Sequence, residues 1–273
     1  MFSNFVLIID IYLFKKILSE IKKILLVGSG NVATHIALNL NSKKYCIHQI
    51  FSRSEENAKN LKNILNCKWT NNPKKILDTD LTIVAINDDN IQEVLSDLPN
   101  KPTVHTSGNT NISVLENYFS DYGVLYPLQT FKKDVEMEVN NIPFLIEANN
   151  KTFEKELLDL ALCLSNKVEK VNSNERKKIH IAAVIACNFS NHMLVIAKKL
   201  MKDSNLEFSL LLPLIRKTFS QINSDPIKLQ TGPAAREDIK VINEHLESIQ
   251  DKNLNLIYEL ISKSIIDYNE KNI

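Results

Sequence analysis

The chain has 273 residues, 44% apolar and 24% charged, with 33 basic side chains against 32 acidic. This is the composition of a folded globular protein of one large or two modest domains, and it excludes disordered, collagenous and coiled-coil classes. A net charge of +1 gives no electrostatic case for nucleic acid or an anionic membrane as partner.

Residues 5–14 read FVLIIDIYLF. This run is too short for a bilayer, which needs about 20 residues. Lys15 and Lys16 follow the run rather than precede it, and no small-residue cleavage site is present. Residues 1–20 therefore read as an N-terminal extension. From Lys22 short apolar runs alternate with helical stretches. KKILLVGSG is a strand followed by a helix to about Leu40, and YCIHQIFSRS is a second strand before a helix over Glu55–Leu65. LTIVAIND (81–88) precedes a helix Ile91–Leu98. PTVHTSG (102–108), GVLYPL (123–128) and IPFLIEA (142–148) are further strands. A helix Phe153–Leu164 and a short strand Lys167–Val171 close the series. Strands alternating with helices predict a mostly parallel, doubly wound α/β sheet.

The pattern changes near Asn172, where Asn172-x-x-Glu175 predicts a capping box. Helices follow at about 174–202, 207–222 and 233–268, the last with room for a break. The chain thus divides into the extension (1–20), an α/β domain (21–172) and a helical domain (173–273). The apolar run Ile179–Leu200 carries His180, Asn188, Asn191 and His192 and reads as a buried helix, so no transmembrane span is expected. Cys46, Cys67, Cys163 and Cys187 form no C-x-x-C pair, so no zinc site is expected and the thiols read as reduced, in a cytoplasmic protein. No metal ligands are singled out.

Gly28-Ser29-Gly30-Asn31-Val32-Ala33 is G-x-G-x-x-A between a strand and a helix, the context a dinucleotide fingerprint requires. Gly28 permits the turn, Gly30 leaves room for a pyrophosphate, and Ala33 keeps helix and strand close. The chain holds only five Gly, where average usage would give roughly 19, and two lie here. The second strand ends Phe51-Ser52-Arg53-Ser54 with no acid for a ribose 2′-OH, which favours NADP(H) over NAD(H), with Arg53 forked onto a 2′-phosphate. The alternative is an Arg53 that merely ends a strand in solvent. Ile86, Asn87, Thr106 and Ser107 fall at strand carboxyl ends, where such folds hold ligands. For Asn87 helix capping stands equally open. His105 and Gln129 are expected to line the cleft on the substrate side.

In the first long helix His180, Cys187 and Asn191 fall within about 40° at α-helical pitch, with Asn188 close by. His180 is a candidate general acid for hydride transfer, with Asn188 beside it. A hydrogen-bonded helix interface is the structural alternative. Thr231-Gly232-Pro233 opens a helix near Arg236, one of only four Arg, which suits a substrate anion or an interface ion pair equally.

GSGNVATHIA, HTSG, LYPLQTF, HIAAVIACNFSNHM and LQTGPAARED together resemble the Rossmann-like domain-of-unknown-function 2520 family over about residues 21–268. That resemblance implies an NADP oxidoreductase, related to deazaflavin-dependent NADP oxidoreductases. It further implies a helical domain like those of pyrroline-5-carboxylate reductases and 6-phosphogluconate dehydrogenases, which usually dimerise and place the site between domains. No Lys lies between Lys178 and Lys198, so the catalytic Lys of the β-hydroxyacid dehydrogenases is absent. The expected activity is oxidoreduction of a small, anionic metabolite by a homodimer. The competing expectations are a non-catalytic NADP-binding sensor and a dinucleotide fold that has lost its ligand.

Overall fold

The structure is a computed structural model that describes residues 22–41, 45–132, 137–223 and 225–271. The apolar run at 5–14 lies outside the described residues. Strands β1 (Lys23–Val27), β2 (Cys46–Phe51), β3 (Lys68–Thr70), β4 (Leu81–Val84), β5 (Thr103–His105), β6 (Tyr122–Pro127), β7 (Phe144–Ala148) and β8 (Val168–Lys170) form one sheet. Their order is β3-β2-β1-β4-β5-β6-β7-β8. Every pairing is parallel except β6 with β7. Helices α1 (Asn31–Asn41), α2 (Glu55–Leu65), α3 (Ile91–Leu95) and α4 (Lys151–Leu164) connect the strands.

Alternation along β1 explains the two-sided packing. Ile24 and Leu26 enter a core with Ile36 and Leu40 of α1, Leu61 of α2 and Phe153 of α4. Leu25 and Val27 enter the opposite core with Ile91 and Leu95 of α3. Successive side chains of a strand point to opposite faces, so an unbroken apolar run is what a strand covered on both sides needs. The expected doubly wound sheet is the one observed. Strand β3 was not anticipated: KWT is too short to show a period, and its pairing with β2 makes it a strand.

Helix α5 (Ser173–Ala183), a π-helical stretch Val184–Phe189 and α6 (Ser190–Asp203) run on as one helix. The capping box is present: the Asn172 side chain accepts from the Asn174 and Glu175 N–H groups, and the Glu175 carboxylate accepts from the Asn172 N–H. The chain falls into two compact units, Met1–Asn191 and His192–Ile273, whose boundary lies inside this helix. The helix is long and apolar enough, by length and composition, to cross a membrane, yet none of its apolar window is buried within the chain. Ile181, Ile185 and Phe189 are exposed, which corrects the expectation of a buried helix. Hydropathy reports what a helix could bury, not whether its own chain covers it.

The second unit continues with α7 (Leu212–Ser220), α8 (Ile239–Ser248) and α9 (Lys252–Lys271). Pro213 sits in the first turn of α7, where its missing N–H costs nothing. The segment expected as one helix from 233 breaks after a single 3-10 turn, Ala234–Arg236. Glu237 takes a left-handed φ of 55°, and the Asp238 carboxylate then accepts the Val241 N–H to start α8.

Candidate cofactor and active site

The reversal of strand order between β1 and β4 opens a crevice at their carboxyl ends, the position at which doubly wound sheets take ligands. A cleft of about 1090 Å³ lies there, and every residue that lines it belongs to the first unit. The turn Gly28–Gly30 forms its floor. Gly28 has φ +106°, and a Cβ there would collide with the Ala85 carbonyl oxygen, so both the turn and the packing of β1 on β4 demand glycine. Its N–H donates to the Phe51 carbonyl, 2.9 Å away. Gly30 differs, because a Cβ there would meet nothing within 4 Å. Among the described residues no packing constraint explains its lack of a side chain, whereas a ligand against the backbone would.

The first helical bond of α1 runs from the Thr34 N–H to the Gly30 carbonyl at 2.9 Å, and no acidic residue occupies the first turn. The N–H groups of Asn31, Val32 and Ala33 precede that bond, and with the helix dipole they suit a pyrophosphate. These residues fit a nicotinamide dinucleotide. Asn31 is held by its side-chain amide, which donates to the Phe131 carbonyl at 3.0 Å. Ala33 is fully buried behind the turn, between helix and sheet.

Ser52 and Ser54 border the cleft at the end of β2, and the Ser29 and Ser52 hydroxyls share a hydrogen bond of 2.9 Å. The Arg53 side chain is 71% exposed and lies 3.7 Å from the Glu93 carboxylate, which lines the same cleft. An exposed pair at that distance is worth under about 1 kcal/mol, so the guanidinium is readily diverted to a stronger anion.

Ile86, Asn87, Thr106, Ser107 and Gln129 also line the cleft. Asn87 makes no side-chain capping bond. Ser107 is committed to its loop: its hydroxyl donates to Asp88 Oδ2 at 2.7 Å and accepts the Asn109 and Thr110 N–H groups at 3.1 and 2.9 Å. His105 does not line the cleft. It is fully buried, its Nδ1 accepts the Ser107 N–H at 3.2 Å, and burial, helped by the Arg176 guanidinium, lowers its pKa to about 3.

From α5 and the π stretch His180, Ala183, Val184, Cys187 and Asn188 reach the cleft, and Asn191 does not. A π stretch accommodates roughly one extra residue, which turns whatever follows by about 100° from α-helical phase. That rotation removes Asn191 from the face it shares with His180 in a regular α-helix. Arg236 is exposed and belongs to the second unit.

Tyr126 in the cleft and Arg176 behind it are not apparent from the sequence alone, whereas the strand end at Gly108 is, as a place for the chain to turn close to a ligand. Tyr126 lines the cleft from the end of β6, with its hydroxyl 3.0 Å from His180 Nδ1. Gly108 is hemmed in by both rings. Arg176 is fully buried: it pairs with Glu147 of β7, and its second terminal nitrogen donates to the Thr110 carbonyl at 2.6 Å and to Ser173 Oγ at 3.1 Å. The position of Tyr126 at the carboxyl end of a strand was the available signal.

These features define a Rossmann-type α/β protein with a helical C-terminal part. Residues 142–265 match the domain of unknown function family DUF2520, and residues 23–115 match the family described as NADP oxidoreductase, coenzyme F420-dependent. Among solved structures, a "putative NADP oxidoreductase" from Bacteroides fragilis is 37% identical with a TM-score of 0.82, covering 90% of this chain and 98% of that one. A 1-pyrroline-5-carboxylate reductase from Streptococcus pyogenes shares the fold at 14% identity and TM-score 0.57, over 91% of this chain and 98% of that one. A reductive aminase from Aspergillus terreus, in complex with NADPH and ethyl-5-oxohexanoate, shares it at 12% identity and TM-score 0.59, over 91% and 88%. No curated protein matches. The chain belongs to the domain of unknown function 2520 family, and by its family models and structural neighbours it is of the NADP oxidoreductase type.

Proposed function

We propose that the protein is an NADP(H)-dependent oxidoreductase of a small, anionic metabolite, with hydride transfer in the cleft of the first unit. The observation that carries this reading is Gly30: it opens the floor of a large cleft at the start of α1, where an added Cβ would have no described neighbour within 4 Å beyond the adjoining residues. When bound, the cofactor supplies or accepts a hydride. The turn Gly28–Ala33 holds the pyrophosphate, Arg53 with Ser52 and Ser54 takes the 2′-phosphate, and Ile86, Asn87 and Thr106 border the nicotinamide half. Gln129, His180 and Asn188 face the substrate. The second reading, a non-catalytic NADP-binding sensor, draws on the absence of a Lys between Lys178 and Lys198. The Tyr126–His180 pair inside the cleft favours the enzyme.

Calorimetric titration tests the assignment of Arg53. Arg53→Ala should weaken NADPH binding about 10- to 100-fold and leave NADH within about twofold, since one charge-assisted contact is worth about 1.5–3 kcal/mol. Equal losses for both cofactors would remove the 2′-phosphate role.

The protein is further proposed to act as a homodimer. Leu210, Leu214 and Ile222 of the second unit, with Leu256 and Leu260 of α9, are exposed apolar side chains that a second copy would cover. Light scattering behind size exclusion should give twice the 31.1 kDa chain mass, and a monomer at micromolar concentration would contradict this.

A further inference from the structure

Tyr126 and His180 meet in the wall of the cleft. The Tyr126 hydroxyl stands 3.0 Å from His180 Nδ1, and the two rings are edge to face with centroids 5.8 Å apart. A third residue lets them meet: a Cβ on Gly108 would lie 2.7 Å from His180 Nδ1 and 2.8 Å from Tyr126 Cζ. Arg176, one helical turn before His180, fastens the start of α5 to β7 through Glu147 and to the loop after β5 through Thr110. The pair is therefore gripped from the loop side and from its own helix.

A phenol and an imidazole that share one hydrogen bond can hold it in two directions. When His180 is neutral, Tyr126 Oη donates to Nδ1. When His180 carries a second proton, Nδ1–H donates to Oη, and the phenolic O–H is released toward the cleft. Burial raises the Tyr126 pKa, Asp88 adds to this and Arg176 opposes it, so the phenol keeps its proton at neutral pH and acts as a donor.

Resting on the oxidoreductase reading above, we infer that Tyr126 is the acid of this site and His180 its proton reservoir, for substrates whose reacting group is a carbonyl or an imine. Two electrons arrive at the substrate carbon as hydride from a dihydronicotinamide. The π pair of the C=O or C=N bond moves onto its oxygen or nitrogen, which takes the proton from Tyr126 Oη. Nδ1 of His180 returns a proton to Oη, and His180 recovers its own from water. One carbonyl or imine, one dihydronicotinamide and one proton thus give an alcohol or amine and the oxidised nicotinamide. General acid groups contribute about 10²–10⁴ in rate.

The test uses wild type, Tyr126→Phe, His180→Asn and the double variant, each as the full chain. NADPH affinity is measured by calorimetry, the ring nitrogens of His180 by ¹⁵N NMR, and NADPH oxidation with glyoxylate, pyruvate, succinic semialdehyde and 1-pyrroline-5-carboxylate as probes. We expect NADPH affinity within about twofold throughout, which also shows that the variants fold. Neutral His180 should show Nδ1 as a hydrogen-bonded acceptor whose signal moves in Tyr126→Phe. Turnover of the probe that wild type reduces should fall roughly 100-fold in each single variant and no further in the double, because the two act in series. Wild-type turnover in Tyr126→Phe, a His180 signal that does not move, additive losses, or NADPH binding without reduction of any probe would each overturn the inference while leaving the cofactor reading. Failure of wild type to bind NADPH would overturn that reading and the inference with it.

Discussion

His105 shows how burial alone changes what a residue can do. At the end of β5 its type and position suit a substrate-side hydrogen bond, but the side chain turns into the protein and its Nδ1 holds the Ser107 N–H, which shapes the loop that carries Gly108. With its pKa lowered to about 3 by burial and the Arg176 guanidinium, it stays neutral in the fold across the range where the unfolded chain takes up a proton. Stability is therefore whole above about pH 6.5 and falls as the pH drops toward 3, by up to about 1.4 kcal/mol per pH unit. His105→Asn keeps an acceptor in place and removes the titration. Urea unfolding should show wild type losing about 2 kcal/mol more than this variant between pH 7 and pH 5, and equal losses would mean that His105 titrates as in water. The same residue marks what the chain does not announce: which way a strand-end side chain turns depends on neighbours far along the sequence. Gly28 is legible because a backbone turn is a local requirement, and Gly30 because the spacing of the two within one strand–turn–helix is local too. Arg176 was visible only as a rare Arg, since its partner Glu147 is 29 positions away.

At the level of elements, apolar runs and caps placed nearly every strand and helix, because burial on both faces of a parallel sheet and the needs of a helix end are written within a few residues. The π stretch Val184–Phe189 was not legible. Counting at 3.6 residues per turn puts Cys187 and Asn191 with His180 and Asn188 close by; Cys187 and Asn188 do line the cleft, whereas the wider turn carries Asn191 out of it. The start of the same helix is tied to the sheet by Arg176, whose pairing with Glu147 and bonds to Thr110 and Ser173 join β7, the loop after β5 and α5. Removing one partner of such a pair leaves a desolvated charge. Arg176→Met should cost about 3–5 kcal/mol by urea unfolding, and a loss under about 1 kcal/mol would show that α5 is held by apolar packing instead.

Across the whole molecule, the α/β and helical parts were distinguishable by pattern, and the two compact units divide within the long helix, after the residues that line the cleft. The residues that line the cleft come from the α/β part and from the first turns of the long helix, all within Met1–Asn191. The central claim is that this cleft holds NADP(H) on the Gly28–Ala33 turn, and one comparison bears on it most directly: NADPH titrated calorimetrically into wild type and Gly30→Ala, with thermal unfolding of both recorded without cofactor. A Cβ at Gly30 would have no described neighbour within 4 Å beyond the adjoining residues, so the two proteins should unfold at nearly the same temperature while the variant loses at least about tenfold in NADPH affinity. Equal affinity in the two, or no binding by wild type, would contradict the claim.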